Sequence, residues 1–344
     1  MSRANYFAID RRSWNAACLL GLNEAVAYLV IGAGTGADQR TSSWSATAVE
    51  KYTGMHHRRA AAAIARLCVA KLLTVEKRGK LRRYFLQPPL EVPSIVERAI
   101  TLAKGKKDRE QAFLLPLENP EWIWLPNSLV EGATDETPPL KLLRQAQHLR
   151  ALWLFIELYY HHDLAGSGGV EWRNGIGIRE QYERREVAQH GIHKVWAFTQ
   201  GNLTVWKAAP FAFDDFWETF KIIKDAGLVE FVPHLVESDL PEAEIIHPLA
   251  FLSGEPGEIE IGIAAVEAGR HMAPYFDDDR TLIVPVSKLR PNVQLVGVVR
   301  MKYRPQTART AQWLSNADEW KKTAMAFEEL ARSVSGSGIK VVSR

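Results

Sequence analysis

The chain has 344 residues, 47% of them apolar and 24% charged, the balance of a folded protein with material for more than one domain. No run approaches the roughly 18 apolar residues of a membrane span, and two cysteines, Cys18 and Cys68, are too few for a disulfide framework or a zinc-finger ligand set. The formal charge of +3 hides an asymmetry: residues 1–110 hold 19 Lys and Arg against 9 Asp and Glu, a net of +10, and the remainder holds 24 against 31, a net of −7. Charge divided in this way points to a nucleic-acid-binding part joined to a part with another task. Met1–Trp14 carries Arg3, Arg11 and Arg12 and no apolar stretch. The expectation is therefore no secretory signal and a reducing cytoplasm.

In chain order, Leu22–Ile31 is apolar at helical spacing, and the glycines of 32–36 supply a stop. Ser45–Thr53 predicts a short helix with Val49 and Tyr52 inward. Ser45 or Thr47 is its expected N-cap, and Thr47 with Glu50 fits a capping box. Gly54 breaks this helix. His56–Leu73 predicts a longer one with Ala60, Ile64, Leu67 and Leu72 buried. Thr74–Lys77 and Leu81–Leu86 read as two strands turning about Gly79. The prolines at 88, 89 and 93 mark a boundary.

Ser94–Glu110 predicts a basic helix. Residues 111–139 are broken by prolines, with short strands at Phe113–Leu117 and Trp122–Leu125. Leu140–Tyr160 predicts one strong helix, Ile178–His190 a charged helix, and His193–Gln200 with Leu203–Lys207 a hairpin about Gly201-Asn202. Asp214–Ala226 reads as a helix stopped by Gly227. Strands are expected at Leu228–Val236, Ile245–Phe251, Leu282–Val286 and Val293–Tyr303, with helices at Gly257–Gly269 and Thr307–Ser333. The domain expectation is 1–90, a basic and Pro-rich connector over 91–139, and an acidic, Trp-rich module over 140–344.

The order of the first block, in the residues SWSATAVEKYTGMHHRRAAAAIARLCVAKLLTVEKRGKLRRYFL (Ser43–Leu86), resembles the winged helix-turn-helix superfamily of bacterial and phage DNA-binding proteins. The resemblance covers about residues 15–90. It implies an α+β fold in which the helix after Gly54 lies in the major groove and the hairpin forms a basic wing. The helix–hairpin order of the second block suggests a further, winged-helix-like module. In such a motif the first residues of the second helix reach bases. Here they are His56, His57, Arg58 and Arg59, and Arg suits bidentate contact with guanine. Arg58, Ala62 and Arg66 share a ridge, the small Ala62 allowing close approach to the groove. Ser45, Thr47 and Lys51 belong to the preceding helix. Lys77, Arg78, Lys80, Arg82 and Arg83 lie on the hairpin, where phosphates are expected. Residues 56–83 hold nine Lys and Arg against Glu76 alone.

Other chemistry is weakly signalled. His161-His162-Asp163 and His190 with His193 have ligand types but no metal-site spacing. Asp277–Asp279 reads as a solvated loop. Gly32–Gly36 and Gly175–Gly177 lack the Lys-Ser/Thr of a phosphate loop, and no nucleophile elbow is present. Cys18 and Cys68 are expected in the core, as are the tryptophans of the second block. The expectation is thus a non-enzymatic, cofactor-free, sequence-specific protein for double-stranded DNA. Its most direct role is transcriptional regulation, with self-association through the acidic module. The alternative is a plasmid- or phage-type replication initiator with tandem winged helices. An enzyme on nucleic acid, or a module that binds only protein, completes the range.

Overall fold

A computed structural model describes residues 5–78, 81–87, 119–133, 136–163, 168–172, 178–205, 213–238, 281–290 and 292–304, with single positions elsewhere. The architecture is mixed α+β with antiparallel sheets. The chain divides into two compact units. The first comprises residues 1–162, 208–230 and 301–306, and the second comprises 163–207, 231–300 and 307–344. The boundaries expected near residues 90 and 139 fall inside the first unit.

The first unit begins with β1 (Tyr6–Asp10), α1 (Arg11–Leu20) and α2 (Leu22–Ala33). Next come β2 (Thr41–Ser42), α3 (Ala46–Thr53), α4 (His57–Val69), β3 (Leu73–Arg78) and β4 (Leu81–Leu86). The unit continues with β5 (Trp122–Pro126), α5 (Ser128–Glu131), α6 (Pro139–Gln145), α7 (Leu149–Tyr160) and α8 (Phe216–Asp225). β1 pairs with β5. Helix α2 is buried from Glu24 to Ala33 and touches α1, α3, α4, α5, α6, β1 and β2. A helix apolar on every side has to be enclosed in this way.

Helix α1 is buried along its whole length, arginines included. Asp10 caps it, accepting from the backbone N–H groups of Arg12 and Ser13, and its carboxylate pairs with Arg12. Arg11 donates from Nε and Nη2 to Glu157 Oε2 on α7, at 2.8 and 2.6 Å, and from Nη1 to Glu121. Its guanidinium lies 4.0 Å from the centre of the Tyr160 ring. Burial pushes the Glu157 carboxyl up from its ordinary range against the pull of Arg11. Burial also pushes the Cys18 thiol well up. Cys18 is core, as expected, whereas Cys68 is half-buried.

Several sequence expectations need correction. The helix expected over Leu140–Tyr160 is two helices, α6 and α7. Gln147 between them adopts φ 52°, and His148 Nδ1 caps the second by accepting from Ala151 N–H. Helix α2 runs past Gly32 to Ala33. Trp153 and Trp172 are core, but Trp122, Trp124 and Trp217 are exposed.

In the second unit, two short strands, β6 (His162–Asp163) and β7 (Gly169–Val170), precede a larger sheet. That sheet comprises β8 (Ile178–His190), β9 (His193–Val205), β10 (Val229–Val236), β11 (Ile245–Ile246), β12 (Thr281–Ser287) and β13 (Gln294–Met301). The order is β11-β10-β13-β8-β9-β12. Residues 178–190 are therefore a strand and not the expected charged helix. Alternation is present but is carried by long charged side chains. Tyr182 packs against the cluster of Phe198, Val284 and Leu295. The Arg184 guanidinium lies over the Trp196 ring and donates to Val293 O, so this charged side chain is engaged with an aromatic face.

The hairpin turns at Gly191, φ 54°, and not at Gly201-Asn202. Gly201 lies beside a bulge between Glu180 and Tyr182, where a Cβ would come 2.9 Å from Gln181 O. With β8 a strand, no helix precedes the 178–205 hairpin, but the other helix–hairpin order, expected over Asp214–Ala226, Leu228–Val236 and Ile245–Phe251, is present as α8, β10 and β11, with β10 and β11 antiparallel. All of the expected linker 87–93 but Gln87, most of the basic helix 94–110, the strand 113–117, most of the helices 257–269 and 307–333, and most of 247–280 lie outside the described residues.

The buried pair gives the first prediction. Glu157→Ala leaves Arg11 buried with half its partners and is expected to cost about 3–5 kcal/mol, read as a lower urea midpoint. Arg11→Met with Glu157→Met is expected to recover a large part of that loss.

Candidate nucleic-acid interface

The cationic segment is built on α2, α3 and α4. Strand β2 pairs with β4, Thr41 opposite Phe85 and Ser42 opposite Tyr84, and β4 pairs with β3. This gives a three-stranded sheet in the order β2-β4-β3. The element order from α2 is thus helix, strand, helix, helix, strand, strand.

The junction between α3 and α4 is fixed by local bonds. Gly54 adopts φ 69°, a left-handed conformation open to glycine, and its N–H donates to Glu50 O. Thr53 Oγ1 donates to Val49 O at 2.6 Å and accepts from Met55 N–H at 3.2 Å. Glu50 Oε1 accepts from His57 N–H at 3.1 Å. His56 is the N-cap of α4, its Nδ1 accepting from Arg58 N–H. The capping box expected between Thr47 and Glu50 is not formed. Ser45 occupies the N-cap position of α3 without a side-chain bond, Thr47 lies inside the helix, and Glu50 serves the next helix instead.

Helix α4 buries Ala60, Ala63, Ile64 and Leu67. The expected Leu72 is buried too, but lies beyond the helix end. The opposite side is exposed: His57, Arg58, Arg59, Ala61, Ala62, Ala65, Arg66 and Val69. His56, Thr47 and Lys51 are also exposed, while Ser45 is half-buried. Lys51 lies over the Tyr52 ring, which stacks on Trp44. Arg66 differs from its neighbours, because its Nη1 donates to Glu24 Oε1 on α2 at 2.9 Å. Part of its charge is committed inside the fold.

On the hairpin, Glu76, Lys77, Arg82 and Arg83 are exposed. Glu76 faces Arg83 across the pair, and Lys77 faces Arg82. Like charges directly opposite destabilise a hairpin, and an anion set between them would relieve the repulsion. Arg78 is in register with Leu81. The Arg78 side chain and the whole of Lys80 lie outside the described residues.

The residues that hold α4 in place, Glu24 and Glu50, are not apparent from the cationic pattern. Glu24 carries one signal, as the lone charged residue of a helix that is apolar beyond its first turn. The exposed Val69 and Val75 were equally hidden among charges.

Elsewhere, the second unit has a cavity of about 270 Å³ lined in part by Arg179, Gln181, Tyr182, Glu183 and Gly201. It is smaller than the roughly 300–1,000 Å³ of small-molecule pockets, and its charges are of both signs. Among the described residues no three His, Cys, Asp or Glu side chains form a metal-binding group, and no helix is long and apolar enough to cross a membrane. Asp277–Asp279 lie outside the described residues. Compared with protein-family models, curated proteins and solved structures, the chain has no significant match.

The caps give a prediction. Glu50→Ala removes the acceptor for His57 N–H and is expected to lower stability by about 0.5–2 kcal/mol, measured as a shift in the thermal midpoint.

Proposed function

We propose that the chain is a sequence-specific binder of double-stranded DNA, most directly a transcriptional regulator, with residues 22–86 as a winged helix-turn-helix. In this reading α4 enters the major groove and the β3–β4 hairpin lies on phosphates. The element order from α2 to β4 supports it, as does the pairing of β2 with β4. The observation that carries it is the outward face of α4 and the hairpin. Arg58, Arg59, Lys77, Arg82 and Arg83 are all exposed there, and among the described residues none forms a salt bridge with a carboxylate. Clustered cations on one helix and one hairpin are the electrostatic footprint of a phosphate backbone.

Phosphate contacts set register and salt dependence, and base contacts set sequence choice. Arg58 and Arg59, in the first turn of α4, take the second role. Lys77, Arg82 and Arg83 take the first. Ser45, Thr47 and Lys51 flank the groove on α3, with Lys51 the phosphate contact among them. The alternative is a plasmid- or phage-type replication initiator with tandem winged helices, and the acidic balance of residues 111–344, poorly suited to phosphates, counts against it. The acidic remainder suits self-association, which would present two α4 helices to two half-sites.

Arg58→Ala and Arg59→Ala are each expected to weaken binding to a selected site by about 1–3 kcal/mol, on the order of 5- to 150-fold, with the fold unchanged by circular dichroism. Unchanged affinity would refute the groove assignment of α4. Lys77→Ala, Arg82→Ala and Arg83→Ala together are expected to weaken binding to all sequences alike. The slope of log K against log salt should flatten by about 0.9 per lost phosphate contact. An effect confined to one sequence would assign the hairpin to base reading.

A further inference from the structure

The centre of the exposed side of α4 is not cationic. At 3.6 residues per turn, Arg58, Ala62, Ala65 and Val69 fall on one line along the helix, opposite the buried Ala60, Ala63, Ile64 and Leu67. All four are exposed, Val69 at 64%. Arg59 and Arg66 flank the line on one side and Ala61 on the other. Arg66 is held by Glu24. Beyond its first turn, the middle of this face therefore carries methyl groups and no side-chain hydrogen-bonding group.

Such a face suits a surface that is anionic at its rims and apolar in its floor. Duplex DNA rich in thymine has this character, because phosphates border the major groove and the thymine C5-methyl projects into it. The cationic hairpin, with Lys77, Arg82 and Arg83 exposed, supplies the charge complement for those rims.

We propose that Ala62, Ala65 and Val69 read thymine methyl groups in the major groove, with Arg58 on guanine at one end of the same line. This rests on the DNA-binding reading above and gives it a sequence preference. A rise of 1.5 Å per residue places Ala62 about 6 Å and Ala65 about 10 Å along the helix from Arg58. These distances correspond to about two and three base steps of 3.4 Å. Val69 lies about 16 Å from Arg58, about five steps, so the preferred half-site holds a guanine with thymines about two, three and five steps away. Discrimination of thymine from the other bases comes from apolar contact and shape, and discrimination of guanine from hydrogen bonds.

The test uses the full chain. Bound duplexes are selected from a random pool, and each thymine of the enriched site is then replaced singly by uracil, which removes only the methyl group. The expected result is a loss of about fourfold, the worth of one buried methyl, at one to three positions near the guanine. With Ala62→Ser and Ala65→Ser, thymine and uracil are expected to bind alike at the matching positions. Equal affinity for thymine and uracil at every position would overturn the methyl contact and leave DNA binding standing. Enrichment of sites without thymine, or discrimination that survives both serine substitutions, would also overturn it. Failure to enrich any sequence would overturn the DNA reading and this inference with it. The uracil measurement needs no variant, so it stands whatever the serine substitutions do to folding.

Discussion

Helix α2 must be enclosed on all sides, and the first unit is arranged to do so. From Glu24 to Ala33 every residue is buried, against three helices before Leu86, two short helices after β5, and strands β1 and β2. Fully burying a side chain such as Leu29, Val30 or Ile31 contributes about 1.5–3 kcal/mol, so no partner of α2 is easily displaced. The cationic helix α4 is one of these partners. Its apolar stripe of Ala60, Ala63, Ile64 and Leu67 is spent on the core, which leaves the other side of the helix turned outward.

Polar contacts then set the helix's position within that packing. Glu24, the one acidic residue of α2, reaches Arg66 near the end of α4. Glu50 and His56 hold the other end through backbone N–H groups. Both ends of α4 are thus anchored from outside its own helix or by its own cap. The base-reading role proposed for α4 would benefit from this, because a base contact misplaced by an ångström is lost. The cost is that Arg66, which lies beside the exposed line, is partly neutralised by the fold. Farther away, Arg11 and Glu157 join residues 146 apart, tying α1 to α7. Removing one of two such buried ions harms stability far more than replacing both.

The elements that were legible in the sequence are those with a helical apolar period or a short alternating or continuous apolar run. Helices α2, α3, α4 and α8 and strands β3, β4, β10, β12 and β13 are of this kind. The Gly54 turn was legible because only glycine sits easily at φ 69°. Strand β8 was not, since its alternation is written in Arg, Glu and Gln, with the Arg184 guanidinium laid over the Trp196 ring. Gly201 looked like a turn because it is a glycine, yet its reason is the close approach of Gln181 O. The break at Gln147 carries no glycine or proline. In the candidate site, the exposure of Arg58 and Arg59 followed from the helical period. The Glu24–Arg66 contact did not, since it joins residues 42 apart, and local patterning is silent about such pairs.

In the proposed reading, α4 and the β3–β4 hairpin both meet duplex DNA. Arginine-selective modification with phenylglyoxal, read residue by residue by mass spectrometry, tests this on the unaltered chain. A saturating selected duplex is expected to protect Arg58, Arg59, Arg82 and Arg83, all exposed in the free protein. Arg185, exposed on β8 of the second unit, is expected to react as before. Equal modification of the four arginines with and without bound duplex, or protection confined to Arg185, would contradict the account.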